Sequence, residues 1–140
     1  MANKNIIIVA GPVIIENNKI LLVKHGQDKD WKFPGGKLQI KTITDWNNSL
    51  EQTAIREAKE ELGIDIEIIK ALKPMFYKKP GIDNKYVVLI HFLANRIGSI
   101  KAGNDINKWD WFDIKNLPTD CAKNVKIVIK NYLTNYKHQS

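Results

Sequence analysis

The run from Ser49 to Gly63 constrains the fold more tightly than any other segment of the chain. Ser49-Leu50-Glu51-Gln52 matches a capping box, in which Ser49 accepts from an N3 amide and Gln52 reaches back, so a helix is predicted to begin at Leu50. Gly63 supplies its C′ stop. At ~100° per residue, Leu50, Ala54, Ile55, Ala58 and Leu62 share one arc, which demands a core to face. Glu57, Glu60 and Glu61 fall on the adjoining arc, and their spacing predicts that the three carboxylates converge. Each like-charge pair at such spacing costs roughly 0.2–0.5 kcal/mol on a bare helix. They also stand near the C-terminus, the unfavourable end of the helix dipole for anions. A hard divalent cation answers this arrangement, since Mg²⁺ takes one or two carboxylates and bridges to substrate phosphate. The alternative is a solvated face on which Arg56 and Lys59 pair with the acids.

The flanking segments read as strands that would receive the apolar arc. Ile6 to Ile15 and Ile20 to His25 are β-branched runs joined by Glu16-Asn17-Asn18-Lys19, which predicts a hairpin. Ile64 to Leu72, Lys85 to Asn95 and Trp109 to Phe112 read as further strands, with Lys79 to Asn84 as a turn. Asp120 is expected to cap a last helix from Cys121 to Tyr136, burying Val125, Val128, Ile129, Tyr132, Leu133 and Tyr136. The order β-β-α-β-β-β-α implies an α/β chain whose mixed sheet is covered by helices. Between the hairpin and the acidic helix, Pro34-Gly35-Gly36 permits close approach of backbone to a ligand.

A length of 140 residues suits one domain spanning 1–140, and 44% hydrophobic with 26% charged residues argues against disorder. Lys+Arg minus Asp+Glu is 22 − 15 = +7, which favours a polyanionic partner such as a nucleotide, nucleic acid or anionic lipid. Arg56 and Arg96 are the only arginines. The single cysteine, Cys121, excludes an intramolecular disulfide and a multi-Cys zinc cage, and fits a reducing interior. No apolar stretch reaches the ~18 residues of a membrane span. Ile6 to Ile15 is interrupted by Gly11-Pro12 and no A-x-A-like cleavage site follows. The expectation is a cytoplasmic enzyme or binding module with no membrane partner, monomeric or homodimeric.

Pro34-Gly35-Gly36 followed by Ala54-Ile55-Arg56-Glu57-Ala58-Lys59-Glu60-Glu61-Leu62-Gly63-Ile64 resembles the Nudix box, G-x5-E-x7-R-E-U-x-E-E-x-G-U with U aliphatic. The resemblance extends to the hairpin, to the Trp31-x-Phe33-Pro34-Gly35-Gly36 approach, and to Trp111-Phe112 with Leu117-Pro118, and so covers nearly the whole chain. It departs at one place. Gly36 and Arg56 are 56 − 36 = 20 positions apart where the family has about fourteen, so about six residues are inserted within Lys37 to Asn48. Asn48 then stands where the first box glutamate belongs. Lys41, Asp45 or Trp46 in the insertion could reach substrate, or the insertion is a surface excursion.

The resemblance implies the Nudix fold, an α/β/α sandwich with a mixed β-sheet between helices. It implies Mg²⁺- or Mn²⁺-dependent hydrolysis of a nucleoside diphosphate linked to another moiety, by attack of water on phosphorus. Glu57, Glu60 and Glu61 take the role of metal ligands, Gly36 offers a carbonyl, and Arg56 orients Glu57. Asp105 is the nearest match to a loop base, ahead of Asp83, and a box glutamate is the other option. Lys24, His25 and Lys37 flank the expected phosphate path, and Trp31, Phe33, Phe76 and Tyr77 are candidates to stack a base. The compact chain resembles the MutT-like members that act on intact or oxidised nucleoside triphosphates. ADP-ribose, dinucleoside polyphosphates and RNA 5′ ends are alternatives, as is a non-catalytic module that binds nucleotide or RNA.

Overall fold

The computed structural model describes residues 5–39 and 49–135. Lys41, Asp45, Trp46, Asn48 and Tyr136 lie outside the described residues. Strands β1 (Asn5–Val13), β2 (Ile15–Glu16), β3 (Lys19–His25) and β4 (Gly36–Lys37) precede helix α1 (Ser49–Leu62). Strands β5 (Asp65–Ala71), β6 (Met75–Lys78), β7 (Lys85–Ile97) and β8 (Ile106–Asp113) follow, and α2 (Lys123–Asn135) closes the order.

Two sheets form. The larger runs β4-β1-β7-β5, with β6 also on β7, and the smaller runs β2-β3-β8. β1 pairs in parallel with β7 from Asn5↔Lys85 to Val13↔Leu93, whereas the other pairings of both sheets are antiparallel. The larger sheet is therefore mixed.

Alternation along β7 sends successive side chains to opposite faces. Phe92 and Ala94 join Ala10, Ile66 and the α1 residues Ala54, Ala58 and Leu62 in one core cluster. On the other face, Leu93 packs with Val13 and Leu72 against Val125, Val128 and Ile129 of α2. β3 divides likewise, with Leu21 and Val23 toward the α1 cluster and Ile20 and Leu22 toward the α2 cluster. The sheets thus lie between two helices.

Three expectations need correction. The predicted hairpin shrinks to Ile15-Glu16 against Lys19-Ile20 across Asn17 and Asn18, which adopt φ of 52° and 63° as its tight turn requires. β1 itself turns away to β7, because its apolar residues fill the larger sheet rather than extending a two-stranded ribbon. The second correction adds β4 and β6, neither of which has an apolar alternation to announce it. The third shortens the last helix, which starts at Lys123 rather than Cys121. Asp120 does not cap it: its carboxylate takes Lys24 Nζ at 3.1 Å. Trp31 N–H donates to the Asp120 carbonyl and Ala122 N–H to the Trp31 carbonyl, both at 2.8 Å, holding this stretch extended.

α1 agrees with its sequence. Thr53 Oγ1 donates to the Ser49 carbonyl at 2.8 Å, and Gly63, at φ 66°, closes the helix by donating to the Lys59 carbonyl at 3.0 Å. Lys101 N–H then meets the Leu62 carbonyl and Gly103 N–H the Glu61 carbonyl, each at 2.8 Å. These bonds satisfy the last turn and fix the β7–β8 loop to the acidic end of the helix.

Candidate active site

The site forms where α1 meets the Gly35-Gly36 ribbon. Gly35 N–H donates to Glu61 Oε1 at 2.7 Å, and the other Glu61 oxygen contacts His25 Nε2. With its side chain 7% exposed, Glu61 is the carboxylate that helix periodicity places at the rim of the apolar arc, and these two donors answer its burial. The hydrogen bond to Glu61 lifts the His25 pKa above its ordinary value, against the opposing effect of burial.

Glu57 packs directly on Gly36. A Cβ at Gly36 would fall inside contact distance of the Glu57 carboxyl carbon and both its oxygens, so the carboxylate could keep this position only against glycine. Burial raises the Glu57 pKa, with the neighbouring Glu61 and Glu60 charges adding to the effect. Arg56 opposes it, donating from Nη1 to Glu57 Oε1 at 2.8 Å. The same guanidinium lies 3.5 Å from Glu60 Oε2 and donates from Nη2 to the Lys37 carbonyl at 3.3 Å. It therefore ties α1 to β4.

The three carboxylates do not converge on one point as expected. Glu61 turns to Gly35 and His25, Glu57 to Gly36 and Arg56, and Glu60 to solvent with its side chain 58% exposed. Among the described residues, no three His, Cys, Asp or Glu side chains form a metal-binding group. Helical spacing sets where the Cβ atoms stand, but each long side chain reaches its own nearest donor. The donor set nevertheless fits a hard divalent cation. All three are oxygen ligands, and Glu57 is held high by burial and by like charge, both of which a bound cation would relieve.

Beside Gly36, on the α2 face of the larger sheet, opens a cavity of about 420 Å³ whose wall includes Phe33, Gly36, Lys37, Tyr77, His91 and Asn124. Of the candidate substrate-binding residues, Phe33, Lys37 and Tyr77 come together here. Lys24, Trp31 and Phe76 do not. Lys24 is held by Asp120 and lies 5.1 Å from the Trp31 ring centre, and Trp31 stands edge-on to Phe112 at 4.8 Å. Phe76 stacks on Tyr86 at 5.7 Å and borders a separate cavity of about 380 Å³ against α2. Asp105 is exposed two residues beyond Gly103, at the start of β8, and Asp83 is exposed in the β6–β7 turn. Burial pushes the Cys121 thiol up to about 11, so it is no nucleophile.

Sequence reasoning missed His91 and Asn124. His91 interrupts the apolar run Val87 to Leu93, where a lone histidine reads as core, and Asn124 reads as a solvent-facing helix residue. A polar residue in an otherwise apolar strand was the available signal. Gly103 was missed too: a Cβ there would collide with the Glu60 carbonyl oxygen.

Comparison with known proteins settles the class of this fold and site. Residues 7–132 match the NUDIX domain. The ADP-ribose pyrophosphatase of Methanocaldococcus jannaschii is 33% identical over 126 residues, covering 86% of this chain and 69% of that protein. The 8-oxo-dGTP diphosphatase of Proteus vulgaris is 30% identical over 98 residues, covering 67% of this chain and 80% of that one. The crystal structure of a MutT NUDIX hydrolase from Burkholderia pseudomallei shares the fold at a TM-score of 0.76 and 24% identity, over 91% of this chain and 98% of that chain. The chain belongs to the NUDIX family. It is a hydrolase of phosphoric anhydride bonds, of a family that uses divalent metal ions. No helix among the described residues is long and apolar enough to cross a membrane.

Proposed function

We propose that this chain, as one domain, hydrolyses a nucleoside triphosphate, intact or oxidised, to the monophosphate and pyrophosphate. The observation that carries the reading is the packing of Glu57 on Gly36 at the border of the 420 Å³ cavity. It sets an acidic helix end beside a space of nucleotide size that Lys37 and Lys79 also border. Glu57, Glu60, Glu61 and the Gly36 carbonyl would hold Mg²⁺ or Mn²⁺. When bound, such an ion neutralises phosphate oxygens and acidifies the attacking water.

The remaining roles fall to the chain's own groups. Arg56 positions Glu57 with its planar fork and braces it against the Lys37 carbonyl. His25 and the Gly35 amide hold Glu61 in place. Lys37 offers a point charge to phosphate, and Phe33 and Tyr77 flank the base. Asp105, in the loop anchored through Gly103 to the end of α1, takes the proton of the attacking water as the P–O bond to the leaving pyrophosphate breaks. The buried free thiol of Cys121 supports a cytoplasmic setting.

The similarity to the M. jannaschii ADP-ribose pyrophosphatase favours a second reading, cleavage of ADP-ribose to AMP and ribose 5-phosphate. Product identification over a panel of nucleoside triphosphates, 8-oxo-dGTP, ADP-ribose, dinucleoside polyphosphates and capped RNA decides between them. Pyrophosphate with a nucleoside monophosphate as the best-turned-over product pair supports the first reading. AMP with ribose 5-phosphate supports the second. Nucleotide or RNA binding with no turnover overturns both in favour of a binding module.

A further inference from the structure

Glu61 keeps its place through two partners of different rigidity. The Gly35 amide that donates to Oε1 is backbone, whereas the other oxygen meets the ring of His25, which turns about two side-chain torsions. The second ring nitrogen shows what steadies that ring. His25 Nδ1 is buried and has no hydrogen-bond partner among the described residues, and Asp28 Oδ2 stands 3.4 Å from it. The ring therefore lies between two carboxylates, those of Asp28 and Glu61. Asp28 is itself fixed. Its Oδ2 accepts the His25 backbone N–H at 2.9 Å and takes Lys32 Nζ at 2.9 Å, while its own N–H donates to the His25 carbonyl at 2.7 Å. Asn107 Nδ2, from β8, donates to the Gly26 carbonyl inside the same turn. A turn closed by reciprocal bonds and tied to a strand holds its carboxylate in one place. In metal sites the groups that orient a ligating side chain are worth about 10–100-fold in metal affinity.

We propose that Asp28 is a positioning residue of the metal site: from the pinned His25–Asp28 turn it fixes the His25 ring, and the ring in turn aims Glu61 as a metal ligand. The proposal rests on the reading of Glu61 as a metal ligand, and deepens it by adding a side chain that reaches that ligand only through another.

The test measures binding of Mn²⁺ alone to the full chain, from the loss of the free-ion EPR signal, with no nucleotide present. Wild type, Asp28→Ala, His25→Phe and the double variant complete a cycle. The dissociation constant is expected to rise about tenfold or more in Asp28→Ala, and to rise in His25→Phe. Adding Asp28→Ala to His25→Phe is expected to change it by less than about twofold, because the ring through which Asp28 acts is already gone. A merely structural role would weaken binding equally in both backgrounds. An Asp28→Ala effect below about twofold in the wild-type background, or one of equal size in both, therefore overturns the proposal. Asp28→Asn keeps the shape and loses the charge, and it takes the place of the alanine variant, under the same criteria, where circular dichroism shows that variant unfolded. Absence of saturable Mn²⁺ binding in wild type overturns the metal-ligand reading and the proposal together. Saturable binding in wild type without the coupling overturns the proposal alone.

Discussion

Lowering the pH from 7 to 5 destabilises this protein through His91. Burial depresses its folded-state pKa from 6.5 to about 4. A basic group with a depressed pKa resists protonation when folded and accepts it when unfolded, so its contribution is complete above pH 6.5 and is lost as pH falls toward 4. The full gap corresponds to about 3 kcal/mol, at about 1.4 kcal/mol per unit, of which about 2 kcal/mol falls between pH 7 and pH 5. His25 acts with the opposite sign, because its raised pKa lends stability below its unfolded value that is lost as pH rises. Comparing wild type with His91→Phe cancels His25, since it is present in both. Urea unfolding followed by circular dichroism at pH 7, 6 and 5 gives both curves. The difference between the two proteins is expected to move by about 2 kcal/mol in favour of the variant across this range. Parallel curves would refute the assignment of His91 as a buried neutral imidazole.

Two glycines give further outcomes. In Gly36→Ala the new methyl meets only the mobile end of Glu57, so stability should change by less than about 1 kcal/mol while kcat falls more than about tenfold. Unfolding and turnover measured on the same preparation check the split. In Gly103→Ala the methyl meets the Glu60 backbone carbonyl, which cannot swing aside, so the cost should reach about 1–3 kcal/mol in urea unfolding. Gly81→Ala serves as its comparison: nothing lies within 4 Å there, and only the strain of φ 77° remains.

The acidic helix was legible because its signals are local. A capping box, a 3.6-residue apolar arc and a terminal glycine act within one turn of each residue they govern, and Ser49 to Gly63 folded as they indicate. The turn residues Asn17 and Asn18 were legible for the same reason, but how far the hairpin continues depends on β7, some seventy residues away in sequence. β6 was hidden because three of its four residues are exposed, leaving no alternation to read. The start of α2 was misplaced because Asp120 has two suitors, its own helix and Lys24, and spacing cannot rank a distant partner against a near one. In the site, the positions of Glu57, Glu60 and Glu61 followed from periodicity, while where each carboxylate points depended on Gly35, Gly36 and His25. His91 and Asn124 meet only through the packing of α2 on the sheet, which no local pattern encodes.

The most direct test of the central claim is pyrophosphate and monophosphate release from the best substrate, measured across a Mg²⁺ titration for wild type and Glu60→Gln. Glu60 is exposed and its replacement leaves the core untouched, so a loss reports on the site rather than on folding. The account predicts release that rises saturably with Mg²⁺ in wild type, stops with chelator, and is abolished in Glu60→Gln. Full activity in that variant, or turnover indifferent to the metal, would contradict it.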